Sequence, residues 1–202
     1  ILKSKHATVA DPRTPFADQA CVTCHGASEA HVRKAEDGAE RAAPDIVYDG
    51  PQATPAATAN GVCMTCHEGG LRMHWQGSAH EFQGEACTSC HDVHTGRDPV
   101  LAKDTQSDVC FTCHKDLGEG IAKAKFKHSP VEQGCTSCHD AHGSAQAGSL
   151  LKTAVPALCV ACHQADTPAF LARHMKYPVG KADCTSCHDP HGSNQAALLL
   201  DT

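Results

Sequence analysis

All fourteen cysteines of this chain fall into seven Cys-x-x-Cys pairs, and every pair is followed at once by histidine. The motifs are Cys21-Cys24-His25, Cys63-Cys66-His67, Cys87-Cys90-His91, Cys110-Cys113-His114, Cys135-Cys138-His139, Cys159-Cys162-His163 and Cys184-Cys187-His188. Three familiar uses of paired cysteines fit this badly. A structural zinc site takes two pairs per metal, seven is odd, and zinc gives no reason for a histidine after every pair. A disulfide scaffold takes an even cysteine count, but a bridge across two residues is strained and leaves the histidine idle. Thioredoxin-like redox motifs sit in βαβ surroundings, and strand signals are nearly absent here.

The chemistry that uses all three residues is covalent attachment of haem c. On a helical turn, positions i, i+3 and i+4 share a face. The two thiols then meet the two vinyl groups of one porphyrin, and the histidine is set under the iron as proximal ligand. The expected cofactors are seven haem c groups, with His25, His67, His91, His114, His139, His163 and His188 as proximal ligands. Haem c is attached outside the cytoplasm. The chain starts at Ile1 without a methionine, a basic stretch or an apolar run, so an export leader, or more, is expected upstream.

Nine histidines remain. Neutral imidazole is a common axial ligand, and eight of the nine follow a pattern. Cys87–His91, Cys135–His139 and Cys184–His188 all read C-T-S-C-H-D, and each has a second histidine three residues on: His94, His142 and His191. Each also has an upstream histidine: His80, His128 and His174. The motifs at Cys63, Cys110 and Cys159 each begin a repeat. First-cysteine spacings are 47 and 49 residues for that kind, and 48 and 49 for the C-T-S-C-H-D kind. Three dihaem repeats of about 49 residues follow: 61–108, 109–157 and 158–202. Residues 1–34 form half of another, with His6 upstream and His31 downstream of the Cys21 motif.

His74 breaks the pattern and reads as a non-ligand. Eight patterned histidines for seven irons leave one over, and the simplest account is that the first half of the first repeat lies before Ile1. A histidine three residues after a proximal one cannot reach the far side of its own haem, so His94, His142 and His191 are expected to serve neighbouring haems.

Aromatic residues are only 4% of the chain, and it holds one expected haem per ~29 residues. That is too little polypeptide for a conventional core, so porphyrin faces must supply apolar surface. Short helices are expected: a turn capped by Ser107 running through Cys110–His114, one opened by Pro156 and carrying Cys159, and one from Thr167 and Pro168 to about Lys176. Residues 35–60, with no Cys or His, read as a linker-like surface excursion. No apolar run reaches the ~18 residues of a membrane span, and no basic patch marks a nucleic-acid surface. The formal charge is −6, which favours a docking partner with a basic face.

With these motifs in view the chain resembles the periplasmic decahaem c-type cytochromes of outer-membrane electron conduits, of the metal-reducing, iron-oxidising or extracellular dimethyl-sulfoxide-respiring type. The matching residues are C-T-S-C-H-D-x-H-G at Cys135–Gly143 and Cys184–Gly192, C-T-S-C-H-D-V-H-T at Cys87–Thr95, the segment His74–His80, and Cys21–His31. Seven of that family's ten motifs are present. The resemblance implies an elongated multihaem cytochrome c, mostly irregular with short α-helices, a haem-organised core and bis-histidine irons. It implies an electron carrier rather than an enzyme, other cytochromes as donor and acceptor, and an outer-membrane β-barrel porin as partner. Two other classes compete. A subunit of an extracellular cytochrome filament would have a terminal histidine serving a neighbouring subunit's iron. A multihaem reductase would need an open iron, which spare histidines in excess of haems argue against.

Overall fold

The structure is a computed structural model that describes residues 1–34, 38–146, 149–175, 177–179 and 183–201. Among these, eight short α-helices are joined by 3-10 turns and loops: α1 (Cys21–His25), α2 (Glu29–Val32), α3 (Ala56–Met64), α4 (Ala79–Phe82), α5 (Gln106–Phe111), α6 (Lys115–Lys123), α7 (Val155–Val160) and α8 (Pro168–Arg173). The longest, α3 and α6, have nine residues. No β-strand forms among the described residues. Three isolated antiparallel bridges do: Phe126 with Ser193, His139 with Leu151, and His188 with Leu199. Short helices and irregular segments are what the sequence leads one to expect.

The polypeptide alone builds almost no core. Among the described residues Ala59 and Trp75 are the buried apolar ones, and no large side chain there is fully buried. Phe82 and Met175 are 84% and 90% exposed. Fourteen cysteine attachment points and a rim of exposed apolar side chains are the surface on which a porphyrin would pack, because burial of apolar area is the main force available to such a chain.

The backbone divides into two compact units, one of Ile1–Met73 with His80–Ala102, the other of His74–Ala79 with Lys103–Thr202. One packing arrangement recurs in both. A helix leading into a repeat's first motif lies on the 3-10 turn that carries its second. In the first unit α3 packs on Cys87–Ser89, and in the second α5 packs on Cys135–Ser137 and α7 on Cys184–Ser186. Buried amides tie two of these contacts. Asn60 donates from Nδ2 to Glu85 O at 3.0 Å and accepts from Cys87 N at 2.8 Å. Gln106 Oε1 accepts from Thr136 N at 3.1 Å and Oγ1 at 2.9 Å.

Some local expectations change. Ser107 lies inside α5 rather than capping it. Its hydroxyl sits 3.9 Å from Cys135 Sγ, and Thr105 takes the cap position, its side chain making no capping bond to the helix. Pro156 does stand in the first turn of α7. Thr167 Oγ1 accepts from Phe170 N at 3.2 Å, as a cap should, but α8 stops at Arg173; Lys176 lies outside the described residues.

Residues 42–55 do not behave as a free linker. Asp45 Oδ2 accepts from Ser28 N and Asp45 N donates to Ser28 Oγ, at 2.8 and 3.0 Å. The Tyr48 hydroxyl donates to Cys24 O at 2.8 Å. The strap then turns through a Thr54 N to Val47 O bond into α3. It is fastened onto the first motif, and α3 begins within the span read from sequence as linker-like.

Candidate haem sites

Each motif closes a helical turn, as its chemistry requires. The amide of the proximal residue donates to the carbonyl of the first cysteine for His67, His91, His114, His139, His163 and His188, at 2.9–3.1 Å, and α1 spans the motif of His25. The three C-T-S-C motifs begin as 3-10 turns rather than α-helix. The first cysteines of paired motifs come together: Cys63 donates to Cys87, which raises the Cys63 thiol and lowers that of Cys87. Cys110 bonds to Cys135, pulling the latter down. Burial, then the adjacent Cys184, push Cys159 up. In each of these three motif pairs the two first cysteines therefore lie side by side.

His25, His67, His139, His163 and His188 each face a second imidazole across a gap. Ring centroids are 5.9 Å apart for His67 and His6, 6.1 Å for His25 and His94, 6.0 Å for His163 and His128, 6.1 Å for His139 and His191, and 6.2 Å for His188 and His174. A metal–imidazole bond is about 2.0 Å, and a ring nitrogen lies about 1.1 Å from its ring centre, so two imidazoles on opposite sides of one iron have centroids about 6.2 Å apart. Direct aromatic contacts scatter more widely; Phe170 stacks on His174 at 4.0 Å. The interplanar angles of the five pairs run from 12° to 86°, as they can for rings free to rotate about a shared axis. The residues present thus fit a haem at each of these positions.

The other ring nitrogen is fixed by the backbone. Nδ1 of His25 lies 2.9 Å from Ile46 O, that of His31 2.7 Å from Ala42 O, and that of His128 3.1 Å from Pro190 O. His139, His174 and His188 reach Ser149 O, Phe170 O and Ala197 O at 2.7–2.9 Å. A carbonyl can only accept, so Nδ1 carries the hydrogen and Nε2 keeps its lone pair for a metal. Burial also pushes His67 and His191 below the usual imidazole range, toward the neutral form that ligates.

The C-T-S-C-H-D-x-H sequence explains itself in this geometry. Asp92, Asp140 and Asp189 each accept from the amide two residues on, that of His94, His142 and His191, at 2.9–3.1 Å. This Asx-type turn swings the second histidine away from its own motif. In the last two copies a clasp follows. Asp140 N donates to Leu150 O and Lys152 N to Cys138 O; Asp189 N donates to Leu198 O and Leu200 N to Cys187 O. The serine after the glycine, Ser144 or Ser193, bonds the returning strand at Leu151 or Leu199. These aspartates, the serines and the Ala42–Ile46 carbonyls escape a motif search. The aspartates were within reach of it, since they recur at one position in three copies.

The remaining candidates are placed as follows. His80 lies in α4, and His114 precedes α6 as its cap residue. His91 bonds to Asp98. His142 meets the edge of Trp75 at 6.4 Å. His31 and His74 have no imidazole across from them among the described residues. No group of three or more His, Cys, Asp or Glu that could hold a bare metal ion forms among the described residues, and no helix there is long and apolar enough to cross a membrane.

Comparison with known proteins points the same way. Residues 128–168 and 177–202 match the doubled CXXCH motif family, and residues 21–107 match the family described as cytochrome c-type protein NrfB-like. Over 114 residues the chain is 35% identical to the multihaem cytochrome MtrA of Shewanella baltica (strain OS185); the match covers 56% of this chain and 32% of that relative. What the chain shares with these proteins is the paired Cys-x-x-Cys-His motif, and over these stretches it is similar to multihaem c-type cytochromes, while it spans about a third of the length of the relative it matches.

Proposed function

We propose that the chain is an electron-transfer wire of seven haem c groups that carries electrons across the periplasm to the outer membrane, for delivery outside the cell. The observation that carries this reading is the set of five imidazole pairs at one metal-spanning separation. Haem c, when bound, supplies a one-electron ferric/ferrous couple. The chain's residues do the rest. At the five paired positions the two facing histidines would both hold the iron and leave no site there for a substrate. Adjacent first cysteines hold the haems of a repeat close together. The downstream histidines bind one motif to another, since His94 faces His25 and His191 faces His139.

The other assignments follow from the resemblance to MtrA-type cytochromes. Partners are a donor cytochrome, an acceptor cytochrome and an outer-membrane β-barrel porin. The location is periplasmic, at the outer membrane, and the chain is a carrier rather than an enzyme.

The test is haem content and the low-temperature electron paramagnetic resonance spectrum of the air-oxidised protein. Seven haems, all low-spin ferric, support the wire. A stoichiometric high-spin signal means an iron with an open position, and moves the reading toward a reductase. A filament subunit is separated by particle length in electron micrographs of the purified protein.

A further inference from the structure

The three C-T-S-C-H-D-x-H copies form an internal comparison. In two of them the proximal Nδ1 donates to a backbone carbonyl, His139 to Ser149 O at 2.7 Å and His188 to Ala197 O at 2.8 Å. In the first copy the chain returns sooner and differently. Thr95 stands where the others have Gly143 and Gly192, the glycines have φ of +116° and +144°, and Thr95 is not in the positive-φ region. The partner of His91 Nδ1 is then a side chain, Asp98 Oδ2, at 2.6 Å. The pair is sheltered, with the His91 and Asp98 side chains 27% and 15% exposed. The other carboxylate oxygen is held by the amides of Asp92 and Val100, both at 3.3 Å. Asp98 is therefore locked onto the ring rather than swinging in solvent.

We propose that Asp98 is a tuning residue that lowers the reduction potential of the haem attached at Cys87 and Cys90. This rests on the haem reading above. A carboxylate that accepts from Nδ1 makes a charge-assisted bond and raises the basicity of the ligating nitrogen. It also places a negative charge beside an iron whose ferric form carries one more positive charge than its ferrous form. Both effects favour the ferric state. A neutral carbonyl supplies the hydrogen bond without the charge. The electron that enters this haem comes from the donor cytochrome, which is oxidised by one electron, and no bond to iron is made or broken.

The experiment is a spectroelectrochemical titration of the holoprotein and of its Asp98→Asn and Asp98→Glu variants. Asparagine keeps an acceptor oxygen and removes the charge; glutamate keeps the charge. The expected result is that one component of the D98N titration moves upward by at least tenfold in the ferric/ferrous equilibrium constant, which is 59 mV for one electron, while the rest stay in place. D98E stays near wild type. In the oxidised resonance spectrum of D98N, one low-spin signal changes its g-values. A D98N curve that superimposes on wild type overturns the proposal, as does an equal shift of all components or an equal shift in both variants, which would mark a purely structural cap. Mass analysis of the peptide carrying Cys87–His91 separates the two levels of argument. Absence of haem there removes the haem reading and the tuning with it, whereas haem present with an unmoved potential removes the tuning alone.

Discussion

His94 faces His25 across 6.1 Å, although His94 lies three residues from His91, the proximal histidine of a different motif. The Asp92 turn that holds the His94 amide makes this possible. His94→Ala is therefore expected to open the iron at Cys21–His25 and leave that at Cys87–His91 unchanged. A high-spin ferric signal worth one haem should appear, and added imidazole should abolish it. Combining H94A with Asp98→Asn tells which haem opened. The low-spin signal altered by D98N alone must survive in the double variant.

His6 and His31 look alike in sequence, as the upstream and downstream histidines of one half-repeat, but they differ in surroundings. His6 faces His67 at 5.9 Å. His31 donates Nδ1 to Ala42 O and has no imidazole across from it among the described residues. His6→Ala is expected to produce one high-spin haem and His31→Ala none. Equal high-spin signals in the two variants would contradict this assignment.

How much of this could be read in the sequence follows from what kind of atom does the work. The paired Cys-x-x-Cys-His motifs are plain in the sequence, because cysteine and histidine at fixed spacing leave few chemical alternatives. The candidate axial histidines stand out as a set, since they repeat. Their partners do not. His128 lies seven residues before Cys135 yet faces His163, while His174 faces His188 of the motif it precedes; sequence distance carries no record of which way a turn sends the chain. The tethering of residues 42–55 leaves no mark in the sequence for a related reason. The strap holds His25 and His31 through the carbonyls of Ile46 and Ala42, and any residue type supplies a carbonyl. Ser107 was read as a cap because serine is a good one, but its hydroxyl turns to Cys135 instead.

The clasp after the last two C-T-S-C-H-D motifs depends on glycine. Gly143 has φ +116°, and a Cβ built there would lie 2.0 Å from His74 O; at Gly192, with φ +144°, it would lie 2.9 Å from Ala124 Cβ. The overlap with the His74 carbonyl is the deeper and forces the backbone to move, whereas at Gly192 Ala124 Cβ and the Phe126 carbonyl at 3.2 Å need a smaller shift. Gly143→Ala is expected to destabilise by about 2–4 kcal/mol and Gly192→Ala by about half that. Thermal unfolding followed in the Soret band ranks them. A larger loss for G192A would mean that the backbone at Gly143 yields easily.

Asn60 is 6% exposed and bridges Glu85 O and Cys87 N. Asn60→Ala strands both groups next to a haem attachment point and is expected to cost about 1–3 kcal/mol. Asn60→Asp keeps the acceptor for Cys87 N but sets a carboxylate against Glu85 O, so it should cost at least as much at neutral pH and less in acid, where a protonated carboxyl can donate again. Urea titrations at two pH values check both the size and the sign.

The strongest consequence concerns the chain without its cofactor. Among the described residues only Ala59 and Trp75 are buried apolar ones, and no helix exceeds nine residues. Isolated helices below ~12 residues are marginal in water, and two buried side chains are worth a few kcal/mol at roughly 25 cal/mol per Å². Ordering the backbone costs about 1–2 kcal/mol per residue, which these elements cannot offset. The same polypeptide made in cells without haem-attachment machinery, or with all fourteen cysteines changed to alanine, is therefore expected to be unfolded, with a far-ultraviolet circular dichroism spectrum lacking helical minima and rapid proteolysis throughout. The haem-loaded chain should show the helical signal and resist protease. A folded, protease-resistant cysteine-free chain would mean that the polypeptide holds itself together, and that the exposed side chains of Phe82 and Met175 serve some purpose other than covering a porphyrin.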